Sequence, residues 1–207
     1  MDRPSSELSP GAGAKLRGRD LRTIGPLAAL FVVPIAAAFA LYYGVGWRPS
    51  GHVNHGELIE PARPLPPMSL PGADGHTLVP NVFTGRWALV YVGDGRCDHT
   101  CRFALAVMRD TRLDLGNEMS RVERVFLVTA ACCDRGLLAR ENPGLIVLDA
   151  SASSSRKLLE AFPRTDLDST IFVVDPLGNL MMRYDSRRDP MGLLQDLQVL
   201  LRLSHIG

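Results

Sequence analysis

The chain has almost no excess charge of either sign: 23 Lys and Arg face 22 Asp and Glu, leaving a net charge of +1 over 207 residues. A nucleic-acid surface needs a concentrated basic field, and no Lys/Arg run interleaved with aromatics stands out. Nucleic acid is therefore excluded as a main partner. Lysine is scarce, present only as Lys15 and Lys157, a bias that fits a GC-rich bacterial genome. No internal repeat is present. The most informative absence is local: from Thr23 to Trp47 no residue carries a charge.

A bilayer core takes about 20 apolar residues, and the run centred on Leu27 to Leu41 is long enough to cross one. Pro26 and Pro34 lie inside it, and transmembrane helices tolerate proline. Tyr42, Tyr43 and Trp47 form an aromatic belt at its far end. A cleaved signal peptide would have a shorter apolar region, roughly 7–15 residues, ending in a small-residue processing site. Ala36-Ala37-Ala38 offers such a site but lies mid-span, so a retained anchor is the expectation. Lys15, Arg17, Arg19 and Arg22 precede the span, and Arg48 and Arg63 are the nearby positives after it. The positive-inside rule then places the N-terminus in the cytoplasm and the rest outside, in the periplasm of a Gram-negative cell. The basic cluster also suits contact with anionic lipid.

The domain organisation follows. Residues 1–22, rich in Ser, Gly, Pro and Arg, are expected to be a disordered cytoplasmic N-terminus. Residues 23–47 form the anchor. Residues 48–67, with Pro49, Pro61, Pro64, Pro66 and Pro67, are expected to be an extended, semi-rigid tether. Residues 68–207 are of ordinary size for one core. Within them, Met68–Leu70 and His76–Val79 flank an Asp-Gly turn and predict a hairpin. The apolar run Trp87–Val92 predicts a strand buried on both faces. Arg102 to about Leu115 predicts a helix, Val122–Thr129 and Leu145–Asp149 strands, and Ser151–Phe162 a helix with Ser151 as N-cap. Thr170–Val174 and Leu180–Tyr184 predict a hairpin around Asp175–Asn179, and Pro190–Leu203 a closing amphipathic helix with Pro190 in its first turn. Alternating strands and helices point to an α/β sheet covered on both faces, and a terminal hairpin followed by a helix is the last third of a thioredoxin-like fold.

Chemistry concentrates at Cys97-Asp98-His99-Thr100-Cys101. A strand ends in the loop Gly93–Arg96 and delivers two cysteines to a helix start, where free N–H groups and partial positive charge favour thiolate. At i, i+4 spacing both sulfurs are expected on one helical face, able to close a disulfide or clamp one soft metal ion. So short a loop gives little chain entropy as a staple, so a redox or metal role is the better reading.

Two stretches carry a resemblance. Trp87-Ala88-Leu89-Val90-Tyr91-Val92-Gly93-Asp94-Gly95-Arg96-Cys97-Asp98-His99-Thr100-Cys101 and Leu167-Asp168-Ser169-Thr170-Ile171-Phe172-Val173-Val174-Asp175-Pro176-Leu177-Gly178-Asn179 resemble the Sco/SenC family of copper chaperones for cytochrome c oxidase. The resemblance implies a thioredoxin-like α/β fold with one N-terminal transmembrane helix, and copper held by Cys97 and Cys101. It also implies a cytochrome c oxidase subunit or another respiratory assembly factor as partner. The chain departs from the family pattern in having Asp98 and Arg102 where proline follows each cysteine, and Ser169 where the distal ligand histidine precedes a Thr-Ile pair. None of His52, His55, His76, His99 and His205 falls in that hairpin.

His99 is the remaining candidate third metal ligand. At i+2 from Cys97 it points largely away from the thiols' shared face, and the alternative is a solvated histidine that favours thiolate when protonated. His52 and His55 are expected on the exposed tether, His76 and His205 at the surface. Cys132 and Cys133 are adjacent, so on a strand they face opposite ways. One is a candidate resolving thiol for Cys97 or Cys101; the alternative is one buried and one exposed thiol. Asp175 is explained by its turn, and Asp168 reads as a solvated loop carboxylate. Met181 and Met182 face opposite ways, one of them in the core.

The expected function is a membrane-anchored periplasmic factor in cytochrome c oxidase assembly. Its Cys97/Cys101 dithiol would act by thiol–disulfide exchange, with Cys97 attacking, or by Cu(I) delivery. The alternatives are a non-catalytic scaffold for an oxidase subunit and a general thioredoxin-like reductase.

Overall fold

The computed structural model describes residues 18–44, 54–72, 74–130, 134–164, 166–204 and 206. The chain falls into two units, one ending at Gly51 and one beginning at His52.

In the first unit, helix α1 (Gly18–Phe39) runs through Pro26 and Pro34 and continues as a π-helical turn, Ala40–Gly44. Gly25–Gly44 is long and apolar enough to cross a membrane, 20 residues with none buried. At 1.5 Å per residue that is about 30 Å, the thickness of a hydrocarbon core.

The second unit is built on a six-stranded mixed sheet. Its strands are β1 (Glu57–Pro64), β4 (Trp87–Gly93), β5 (Val122–Val128), β6 (Ile146–Asp149), β7 (Thr170–Val174) and β8 (Asn179–Asp185), in the order β1-β8-β7-β4-β5-β6. β4, β5 and β6 are parallel, whereas β7 is antiparallel to β4 and to β8, and β8 to β1. A two-stranded hairpin, β2 (Leu70–Pro71) with β3 (Leu78–Val79), lies outside that sheet but against it, with Gly72 bridging Leu148 of β6 and Leu70 buried in the same core as Leu148. The helices are α2 (His99–Asp114), α3 (Arg135–Glu141), α4 (Arg156–Ala161) and α5 (Pro190–Leu203).

Every residue from Trp87 to Val92 is buried, as its unbroken apolar run predicts for a central strand. Alternation splits the run between two cores. Leu89 and Tyr91 join Leu105 and Met108 of α2, Phe126 of β5 and Leu197 of α5 on one side of the sheet. Val90 and Val92 join Leu127, Leu148, Leu158 and Phe172 on the other.

Two expectations are corrected. The tether predicted over residues 48–67 is not extended linker throughout, because Glu57–Pro64 pairs with β8 as an edge strand. Ile59 and Leu65 give the reason, since both are buried in the second core. Proline is tolerated because β1 lies at the edge and its register shifts between Leu58 and Arg63. The helix predicted from Ser151 to Phe162 is shorter: a 3-10 turn, Ser153–Ser155, leads into α4, and the amide of Ser151 is taken by Asp149 instead. The closing helix, Pro190–Leu203, matches its predicted range, capped by Asp189 accepting from Gly192 N.

Candidate functional site

Strand β4 ends at Gly93, where an added Cβ would lie 2.9 Å from the Tyr91 ring. The carbonyl of Gly93 accepts from Thr129 N at 2.9 Å, tying the loop after β4 to the end of β5. Asp94 then accepts from the amide and the guanidinium of Arg96, which closes the loop and holds the Asp94 carboxyl below its usual range, the Arg96 hydrogen bond leading.

Cys97 and Cys101 form a disulfide, with Cα atoms 4.9 Å apart. The route to that contact differs from the one expected. Cys97 is not in the helix: its backbone is left-handed, φ 41°, a conformation L-residues seldom adopt outside turns. Asp98 is the N-cap, accepting from Cys101 N at 3.0 Å, and α2 starts at His99 rather than Arg102. The sulfurs meet because the backbone reverses at Cys97, not because both residues share a helix face. The pair packs into the core, with Cys97 7% and Cys101 3% exposed.

A cleft of about 400 Å³ opens beside the disulfide, lined by Tyr91, Gly93, Asp94, Arg96, Asp98, Cys101 and Asp168. Tyr91 is its floor. Its hydroxyl donates to the Asp168 carbonyl at 3.0 Å, and its pKa is pushed far up, first by burial and then by Asp168, Asp98 and Asp94. Three carboxylates therefore act on one point next to the sulfurs. Arg102 donates to the Cys97 carbonyl at 3.4 Å.

His99 is exposed at the first position of α2. Ser169 ends a 3-10 turn, Leu167–Ser169, and is 1% exposed; its carbonyl accepts from Ser186 N. Among the described residues no group of three or more His, Cys, Asp or Glu is placed to hold a metal ion. Asp168 is exposed, and Met181 and Met182 alternate as expected, the second buried. His76 is exposed, its amide held by Asp74. Cys132, Cys133, His52 and His205 lie outside the described residues.

His55 is exposed, as expected, but it also docks on α5: its amide and Nδ1 approach Asp196 at 2.8 and 3.1 Å, and Gly56 N and the Tyr184 hydroxyl also donate to that carboxylate. No local pattern signals this contact, which joins residues 141 apart in sequence. Tyr91 was equally hidden inside an apolar run, whereas Asp98, a capping residue type ahead of a periodic segment, was a readable signal.

The family model described as "Transmembrane-like, thioredoxin-like, C-terminal domain" matches residues 87–204, more than half of the chain. No curated protein matches the sequence. Among solved structures, apo Sco1 of Thermus thermophilus is similar at 20% identity and TM-score 0.55, covering 73% of this chain and 99% of its own. Yeast Sco1, determined with copper bound, is similar at 14% identity and TM-score 0.59, covering 70% and 96%. BsSco has a TM-score of 0.52 at 16% identity, covering 72% and 99%. It is described as a member of the Sco family of cytochrome c oxidase assembly proteins with a disulfide switch. At such identities the likeness speaks for a shared thioredoxin-like fold.

Proposed function

The chain belongs to the transmembrane-like, thioredoxin-like, C-terminal domain family, and we propose that it is a membrane-anchored thiol–disulfide exchange protein serving cytochrome c oxidase assembly in the bacterial periplasm, a reading supported by its likeness to Sco structures such as BsSco. The observation that carries this reading is the Cys97–Cys101 disulfide, set at the end of the central strand beside an open cleft. A partner thiolate attacks the Cys97 sulfur, the S–S bond breaks, and Cys101 leaves as a thiolate in the first turn of α2, where helix N-terminal charge stabilises it. A second partner thiolate then attacks the mixed disulfide. The partner ends oxidised by two electrons and the pair reduced; the reverse sequence, with Cys97 attacking and Cys101 resolving, reduces a partner disulfide. Both residues are buried, and the attacked position is assigned to Cys97 because Cys101 lies in the first turn of α2, where its leaving thiolate is stabilised.

The test uses full-length protein in detergent. Cys101→Ser traps a mixed disulfide through Cys97, and Cys97→Ser does not, as read by peptide mass after alkylation. In cells, neither variant restores cytochrome c oxidase activity to a deletion strain. Full rescue by Cys97→Ser combined with Cys101→Ser would return the protein to a scaffold for an oxidase subunit.

A second reading is Cu(I) carriage, favoured by the contact of two sulfurs at one helix start and by the copper bound to the similar yeast protein. Two thiolates suit soft Cu(I), and His99 is the candidate third ligand. Ser169, at the family's histidine position, offers no such ligand. Its test is a Cu(I) titration of the reduced full-length protein: one equivalent should bind, and Cys97→Ser should abolish the binding.

A further inference from the structure

The cleft beside the disulfide is acidic, and its carboxylates are not equally engaged. Asp94 is neutralised by Arg96, which reaches it with two nitrogens at 2.9 and 2.7 Å. Asp98 and Asp168 are exposed, and among the described residues neither has an ion-pair partner. Asp98 spends one oxygen on the Cys101 amide, which leaves its charge in place. Arg102, the other cation of the cysteine loop, points its Nε at the Cys97 carbonyl. The titratable groups around the pair are thus Tyr91 from β4, Asp94 and Arg96 from the loop, Asp98, His99 and Arg102 from the start of α2, and Asp168 from the turn before β7.

We infer that Asp98 and Asp168 select the partner of the disulfide, favouring a cysteine flanked by Lys or Arg over one flanked by Asp or Glu. The inference rests on the exchange reading and names the chemistry of its substrate. Both carboxylates line the cleft that opens on the disulfide at Cys101, the volume beside which a segment delivering a thiolate to the pair must lie. Rim charges act chiefly on association rate and its salt dependence, and a focused field of one sign raises the local concentration of the opposite charge. Neither residue takes part in the sulfur chemistry, so both are specificity residues.

The test uses oxidised full-length protein in detergent and two single-cysteine peptides, one flanked by two lysines and one by two glutamates. Mixed-disulfide formation at Cys97 is timed in Cys101→Ala, charged beforehand with glutathione as a mixed disulfide, and in the unaltered pair. At low ionic strength the lysine peptide is expected to react about tenfold faster. Because flanking charge also alters each peptide's own thiol, the deciding quantity is the rate ratio of the two peptides, compared between this protein and Asp98→Asn with Asp168→Asn. The ratio should fall toward that of a neutral small disulfide in the variant, and likewise in about 1 M salt, where screening lengths shrink to about 3 Å. An unchanged ratio in the variant overturns the selection. Failure of both peptides to react with either form overturns the exchange reading itself, and the selection with it.

Discussion

Asp98 Oδ1 accepts the backbone amide of Cys101 at 3.0 Å, so one carboxylate caps α2 and stands beside the buried cysteine. The bond satisfies a first-turn amide that has no helical partner of its own. It also fixes where the helix begins, and Cys97, one residue earlier, must turn through a left-handed backbone to reach its partner.

Replacing Asp98 with Ala should therefore cost about 1 kcal/mol of stability, while Asp98→Asn, an equally good cap, should stay within a few tenths. Urea unfolding of the full chain in detergent, followed by circular dichroism, measures both. Equal losses in the two variants would mean that charge, rather than capping, carries the effect.

Asp196 should make the domain acid-sensitive. Burial by itself would raise its pKa, but the amides of Gly56 and His55, the Tyr184 hydroxyl and the His55 ring outweigh burial and hold it below the usual carboxylate value. Because the folded pKa lies below the unfolded one, about 3.9, its contribution is complete above that pH and is lost as pH falls through the folded value. Unfolding midpoints should be flat between about pH 5 and 7 with respect to this group and drop below about pH 4. Asp196→Asn should lose about 2–4 kcal/mol at neutral pH, since buried donors are left poorly satisfied, and should show a shallower acid limb.

Gly56 should resist substitution. An added Cβ would collide with the hydroxyl-bearing end of the Tyr184 ring, which Asp196 holds by accepting from that hydroxyl. Gly56→Ala should cost about 1–3 kcal/mol, typical of overpacking, read in the same unfolding assay.

Phe172 tests the second core. It is fully buried in β7 and meets Phe162 edge-on, with centroids 5.1 Å apart. Phe172→Ala should cost about 3–5 kcal/mol and leave the exchange chemistry of any folded fraction unchanged, because Phe172 faces away from the side that holds Cys97 and Cys101.

What could be read in the sequence was what short-range physics encodes. The unbroken apolar run Trp87–Val92, the hairpin around Asp175–Asn179 and the helix opened by Pro190 all appear with close to their predicted bounds. The cysteine pair was legible because its residues are neighbours. The strand Glu57–Pro64 was not: its prolines suggest a linker, and only pairing with β8, far along the chain, shows that an edge position accommodates them. The same holds for His55 on Asp196 and for Tyr91 meeting the Asp168 carbonyl, contacts set by the folded sheet and by no local pattern. The left-handed turn at Cys97 was hidden because spacing alone cannot distinguish two residues on a helix from one residue reversing ahead of its cap.

The most direct test of the account is the redox behaviour of Cys97 and Cys101 in the full-length protein, equilibrated in glutathione buffers, quenched by alkylation and mapped by peptide mass. The account predicts that the linkage opens and closes reversibly as one two-electron couple, at a potential between roughly −180 and −300 mV, the range of exchange proteins rather than structural staples. A linkage that stays closed throughout that range, or whose opening unfolds the domain, would contradict it.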